Sequence, residues 1–302
     1  MIDSRYLTFI AVTETENFTS AAYRLGLTQP AVSQHIKQLE NEFGVKLFVR
    51  NNKQLILTNP GQTLLKYCKR MVNLETDLAR KIEDSKKGTS TLIIGVTHSS
   101  ESSETPEILA KYSREKNGTY IRIISDSIKN LYEKLSSYQI DMAIIEGKIT
   151  NAKYSSVLLA TDSIEAIVSK NSPLAKRRMI YLKDLEKERI ILRNLDSGTT
   201  SMFASALGKN DFSLDDLNVY LEIDNVATIK DLVRKNMGVS ILPRSACLDE
   251  IKDGSLVALP LESMNMVREI SLVYLKDNVD ESTVNDLVGL FRNQRHDEGR
   301  AF

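Results

Sequence analysis

Apolar positions recur at helical spacing through the first part of the chain, then give way to short apolar runs after about residue 90. Phe18, Ala21, Ala22 and Leu25 mark one face of a short helix, and Val32, Ile36 and Leu39 mark one face of the next. Gly26 stands between them, where a left-handed turn needs a residue without a Cβ. Thr28 is placed to cap the second helix, and Pro30 falls in its first turn, where a missing N–H costs nothing. Leu7, Phe9, Ile10 and Val12 predict an earlier helix that closes a small core. After Gly44, the runs K-L-F-V-R and Q-L-I-L-T read as two strands of a hairpin around Asn51-Asn52-Lys53. A helical pattern then runs from Thr58-Asn59-Pro60-Gly61 to about Asp84. Its Leu64, Cys68, Met71, Glu75, Leu78 and Ile82 step alternately by four and three, a heptad seam expected to pair two such helices in a dimer. Glu75 is a polar interruption suited to setting register, and Cys68 is expected to pack as a small apolar residue.

The polar stretch Ser85 to Ser90 predicts a hinge. Beyond it, L-I-I-G-V, Y-I-R-I-I, M-A-I-I, A-I-V, I-I-L, V-Y-L-E-I, V-S-I-L and I-S-L-V-Y read as buried strands. Helical segments fall near 104–116, 127–138, 199–207, 225–237 and 281–293, the fourth with Asn225 as its cap and Gly238 just past its end. Such alternation predicts an α/β fold with parallel layers.

Composition narrows the function classes. A chain of 302 residues with 42% hydrophobic and 26% charged residues has the make-up of a globular protein of about two domains or more. No apolar run approaches the roughly 20 residues of a membrane span, and the start M-I-D-S-R-Y-L lacks a signal-peptide core, so a cytoplasmic location without membrane contact is expected. Cys68 and Cys247 lie far apart without metal-type spacing, so no disulfide is expected. Residues 1–90 hold 13 basic against 9 acidic residues and the remainder 27 against 31, a mildly basic head on an acidic body. An enzyme on the α/β portion is disfavoured: His35, His98 and His296 are scattered, and neither G-x-S-x-G, a P-loop nor a metal-ligand cluster occurs. No metal or cofactor is expected.

The polar side of the second short helix carries Gln29, Ser33, Gln34 and Lys37, with almost no acid until Glu40 and Glu42. Gln suits adenine, Ser fits several bases, and Lys suits guanine or phosphate, so two helices joined this tightly can read a DNA major groove. A solvated face in an ordinary small bundle has the same pattern. Arg50 and Lys53, at the hairpin tip, are placed for phosphate or the minor groove.

The whole segment N-F-T-S-A-A-Y-R-L-G-L-T-Q-P-A-V-S-Q-H-I-K-Q-L-E-N-E-F-G-V-K-L-F-V-R resembles the N-terminal signature of LysR-type transcriptional regulators. Q-I-D-M-A-I-I-E-G and L-E-I-D-N-V-A-T-I-K-D-L-V-R-K-N-M-G-V-S-I-L-P-R-S-A resemble that family's effector domain. The resemblance implies a winged helix-turn-helix over 1–58, a linker helix and hinge over 59–90, and a two-lobed effector domain like that of periplasmic binding proteins over 91–302. It implies a first lobe of 91–162 and 270–302, a second of 163–269, and linker helices that pair antiparallel between subunits. Thr28, Gln29, Pro30, Ser33, Gln34, Lys37, Arg50 and Lys53 are then the expected DNA-binding residues. A homodimer or homotetramer on a dyad operator is expected, with RNA polymerase as a partner if the outcome is activation.

In open α/β sheets ligands bind beyond the carboxyl ends of strands. The loops there hold Thr97, His98 and Ser99, Ser127, Glu146, Arg193, the Ser197-Gly198-Thr199 turn and Asn225, the expected effector-binding residues. Thr97 and Ser99, with Ser197, Gly198 and Thr199, align with the family's ligand loops. Hydroxyls at helix starts favour a small anion or the carboxylate end of a metabolite. Asp126, Glu146 and Glu101 would repel a dianion, and Thr200 stands where the family often has arginine; this leaves an amine or a larger neutral metabolite open. Arg193 is the expected counter-charge.

Overall fold

The computed structural model describes residues 2–51, 54–147, 149 and 151–297, and side chains up to 293. It divides into two compact units, 1–87 with 136–139, and 88–135 with 140–302.

The first unit begins with three short helices, α1 (Ser4–Thr15), α2 (Phe18–Leu25) and α3 (Gln29–Phe43). Asn17 caps α2 by accepting from the backbone N–H groups of Thr19 and Ser20, and Gly26 ends it at φ +66°, so the left-handed turn falls where it was expected. Phe9, Val12, Ala21, Val32, Ile36 and Leu39 bury fully or nearly so in one core. Strands β1 (Phe48–Asn51) and β2 (Gln54–Leu57) pair antiparallel as the hairpin. Phe48 anchors it, with its ring centroid 5.3 Å from that of Phe9 and 6.2 Å from that of Phe18.

Helix α4 (Asn59–Lys87) starts where Thr58 Oγ1 accepts from the Gly61 N–H at 3.0 Å. It extends past Asp84, so Ser85–Lys87 of the expected hinge are helical and the chain turns at Gly88 (φ +64°). The heptad seam also divides. Cys68 is fully buried in the head core and Leu64 and Met71 pack against it, whereas Leu78 and Ile82 remain 59% and 49% exposed. A spacing of 3.5 predicts a packed stripe but not its partner, and the first half of this stripe is used within the chain.

The second unit contains β3 (Ser90–Val96), α5 (His98–Glu101), α6 (Thr105–Glu115), β4 (Thr119–Ser125), α7 (Ile128–Ser136), β5 (Met142–Glu146) and the long β6 (Ser155–Ser169). There follow α8 (Leu182–Leu185), β7 (Ile190–Leu192), α9 (Gly198–Gly208), β8 (Val219–Glu222), α10 (Val226–Arg234), β9 (Val239–Pro243), α11 (Leu248–Lys252), β10 (Leu256–Leu259), β11 (Val267–Tyr274) and α12 (Glu281–Asp297). Among the described residues the strands run β4-β3-β5-β11-β6-β9-β7-β8, with β10 also on β6. The β3–β4, β3–β5, β7–β8 and β7–β9 pairs are parallel, as the strand–helix alternation implies. The remaining pairs, all involving β6 or β11, are antiparallel.

Those two strands make the double crossover. Residues 155–163 of β6 pair with β11, and 164–169 pair with β9 and β10. Two apolar cores sandwich the sheet around β3, β5 and β11, one with α6 and α12 and one with α7. Two more do so around β7 and β9, one with α8 and α9 and one with α10 and α11. Strands covered on both faces are the physical reason that these segments read as unbroken apolar runs.

Helix α10 stops at Arg234, and Asn236, not Gly238, takes the left-handed conformation (φ 58°). Gly238 answers a different need. A Cβ there would lie 2.6 Å from the Arg189 carbonyl oxygen, beside the pairing of β9 with β7.

Candidate functional site

Helix α3 buries Val32, Ile36 and Leu39 and turns its other side outward. Thr28 Oγ1 accepts from the Ala31 N–H, and Pro30 lies in the first turn. Thr28, Gln29, Pro30, Gln34 and Lys37 are exposed and Ser33 is half-buried, with Gln29 Nε2 donating to Ser33 Oγ at 2.8 Å. The acids at the far end are neutralised locally: Glu40 pairs with Lys46 at 2.6 Å and Glu42 with Arg5 at 2.8 Å. What remains is an outward strip of amide, hydroxyl and ammonium groups. Lys37 and Arg50, exposed on α3 and β1, form no ion pair among the described residues. Lys53 lies outside the described residues.

In the second unit the carboxyl ends of β3, β4, β5, β7 and β8 open onto a cavity of about 330 Å³. Thr97, His98, Ser99, Ser127, Glu146, Arg193, Ser197, Gly198 and Thr199 line it. Asn225 does not; its Oδ1 accepts from the Thr228 N–H at 2.9 Å as the cap of α10, while its neighbour Asp224 faces the cavity. Glu101 is also absent from the lining and lies on α5 with a carboxylate oxygen 3.9 Å from His98 Nδ1.

The polar groups are held from behind. Glu146 Oε1 accepts from Thr97 Oγ1 at 2.7 Å and from Ser100 Oγ at 2.9 Å. Arg193 is buried; its Nε donates to the Asp224 carbonyl at 3.1 Å and its Nη1 to Ser99 Oγ at 3.3 Å. Thr200 Oγ1 donates to the Arg193 carbonyl at 3.0 Å, so the residue standing where arginine was expected holds this arginine's backbone. Burial lowers the Arg193 guanidinium pKa, against the opposing pull of Asp224 and Glu146. Burial alone would raise the Asp126 carboxyl, but hydrogen bonds from Lys134, Asn130 and the Ser127 N–H hold it below its ordinary value. Asp126 is thus already paired, with Lys134 Nζ 2.6 Å away, and adds less repulsion than the sequence suggests.

Sequence reasoning missed Arg268 on β11, which lines the cavity at 5% exposure. Its Nη2 lies 3.0 Å from Asp162 Oδ2 and 3.4 Å from Glu146 Oε1. The available signal was Arg268 two and four residues before Ile270 and Leu272, on the buried face of an alternating strand, since a buried arginine requires acidic partners. At the start of α9, Ser197 makes no side-chain cap bond. The buried atoms Ser197 Oγ, Thr199 Oγ1 and Arg268 Nε have no hydrogen-bond partner among the described residues. A helix start with unfilled hydroxyls and two buried guanidiniums is equipped to take an acidic ligand group.

An outward-facing, acid-poor helix on a winged head, joined in one chain to an α/β unit with a polar cleft, defines a ligand-responsive DNA-binding regulator. Residues 4–62 match the family model for bacterial regulatory helix-turn-helix proteins of the lysR family, and residues 85–295 match that for the LysR substrate binding domain. The chain belongs to the LysR family of transcriptional regulators, a family of regulators and not of enzymes. It is 30% identical over 276 residues to an uncharacterized HTH-type transcriptional regulator of Methanocaldococcus jannaschii, covering 89% of this chain and 91% of that protein. It is 25% identical over 276 residues to a probable RuBisCO transcriptional regulator of Thalassiosira pseudonana, covering 89% and 90%. In fold it is similar to full-length CbnR complexed with its target DNA, with a TM-score of 0.71 at 17% identity over 97% of this chain and 99% of the other. It is also similar to Corynebacterium glutamicum OxyR, with a TM-score of 0.61 at 21% identity over 97% and 92%. LysR regulators bind DNA and small-molecule effectors and form oligomers. Among the described residues no helix is long and apolar enough to cross a membrane.

Proposed function

We propose that α3 enters the major groove with Gln29, Ser33 and Gln34 at base edges, Lys37 at guanine or phosphate, and Thr28 and Pro30 fixing its start. Arg50 on the hairpin meets the phosphate backbone. The observation that carries this reading is the exposed, acid-poor side of α3, with its apolar side committed to the head core. The protein works in the cytoplasm as a dimer through the exposed second half of α4, and two dimers form a tetramer spanning two half-sites of a dyad operator. RNA polymerase is the further partner where the outcome is activation.

The chain divides functionally into the head (1–58), the linker (59–90) and an effector domain with lobes 91–162 plus 270–302 and 163–269. The effector sits in the cleft with an acidic group at the start of α9. It changes DNA affinity only as far as it prefers one lobe or dimer geometry over the other. Footprinting of the full-length protein on DNA selected from its own genome tests the reading. The expected pattern is protection at a dyad with affinity falling steeply as salt rises, because phosphate contacts release counterions. Weak binding without sequence preference at every salt concentration would oppose it.

A further inference from the structure

We infer that Arg268 sets the charge of the ligand, admitting one negative charge and rejecting a second. This rests on the reading that the effector binds in the cleft. Arg268 lies on one of the two crossover strands, buried, at the cavity wall. Its Nη2 is shared between two carboxylates, Asp162 at 3.0 Å and Glu146 at 3.4 Å, while its buried Nε is without a partner among the described residues. A guanidinium can donate five hydrogen bonds, so the unfilled Nε is spare donor capacity on a residue of the cavity wall.

The surrounding charges decide what can use it. The buried side chains of Glu146 and Asp162 together outweigh Arg268, and the buried Arg193 brings these four charges to balance, while the exposed Asp224, whose carboxylate accepts from Asn194 Nδ2, lies outside the group. One acidic ligand group meets the two guanidiniums and, in the same lining, the hydroxyls of Ser197 and Thr199, whose oxygens are also without a partner among the described residues. A second acidic group finds no unused cation. Lys134, which is not a lining residue, is spent on Asp126, and the other ionisable side chains in the described lining are Asp196, Asp224 and His98, the last with its Nδ1 3.9 Å from a Glu101 carboxylate oxygen. A lone cation is disfavoured at the centre by both arginines. The class selected is therefore a small monoanion such as a monocarboxylate.

The same contacts give Arg268 a coupling role. Asp162 Oδ1 accepts from the Ser245 N–H at 3.1 Å and its Oδ2 from Ser245 Oγ at 2.7 Å, just after β9. Glu146 is tied to the loop after β3 through Thr97 and Ser100. A ligand that draws on Arg268 thus acts on a residue connecting the two ends of the crossover.

The test is calorimetric titration of the full-length protein with benzoate, phthalate and benzylamine, which share a ring and differ in charge. Wild type is expected to bind benzoate at least about tenfold more tightly than the other two. Arg268→Gln should lose about tenfold or more for benzoate and gain for benzylamine, and Glu146→Gln should bring phthalate close to benzoate. Arg268→Lys keeps the charge and should retain the order of preference, which guards against misreading a folding defect. Unchanged benzoate affinity in Arg268→Gln, with loss in Thr199→Val, would overturn the role of Arg268 and leave the cleft reading standing. Benzoate affinity indifferent to Arg268→Gln, Arg193→Gln and Thr199→Val alike would sink the cleft reading itself. Wild-type preference for phthalate or benzylamine, or binding of none of the three, overturns the inference.

Discussion

Thr199 is almost wholly buried and leaves its hydroxyl oxygen without a partner among the described residues. A buried polar atom in that state costs about 1–3 kcal/mol, and a same-shape apolar replacement removes the cost. Thr199→Val should therefore raise the urea midpoint of the ligand-free protein, by about 1 kcal/mol in stability, while weakening ligand binding. Lower stability would mean that the hydroxyl is already satisfied. Burial pushes the Cys68 thiol up to about 11 and the Cys247 thiol up to about 12, so both stay protonated and inert near neutral pH. A thiol reagent should label neither cysteine in the native protein and both in denaturant. Single residues were legible where local geometry decides, as at Thr28, Gly26 and the Asn225 cap. They were not where distant strands decide. Gly238 reads as a helix stop, but its need is set by the Arg189 carbonyl, and Arg268 has partners more than a hundred residues away in the chain.

At the level of elements, helix periodicity located all the longer helices, because an apolar face is written into consecutive residues. It did not say what each face meets. Helix α4 is the clearest case, with Cys68 in the head core and Leu78 exposed on one continuous seam. Leu78→Glu should leave helix content and head folding intact while shifting the protein toward smaller species in sedimentation. Cys68→Asp, which places a charge in an apolar core, should unfold the head by several kcal/mol. Equal effects of the two substitutions on folding would contradict the division of the seam. The short α5, α8 and α11 and the full length of β6 escaped the sequence, since four or five residues carry too little periodicity and a crossover strand changes partners midway.

The whole molecule joins a DNA-binding head in one chain to a cleft lined by the loops at five strand ends, the start of α9 and one crossover strand. The head was nearly complete in the sequence because its contacts are local. The cleft was legible as a set of loops but not as a charge balance, because Arg268 and Lys134 enter from elements outside those loops. The outward side of α3 is the feature on which the function turns, and a competition experiment tests it most directly. Affinity of the full-length protein for its selected operator and for a scrambled duplex would be measured at one salt concentration for wild type, Gln34→Ala and Arg50→Ala. Gln34→Ala is expected to cost about 1–3 kcal/mol on the operator and almost nothing on the scrambled duplex, while Arg50→Ala weakens both alike. Equal losses on both duplexes from the two substitutions, or no loss from Gln34→Ala, would contradict the placement of α3 in the groove.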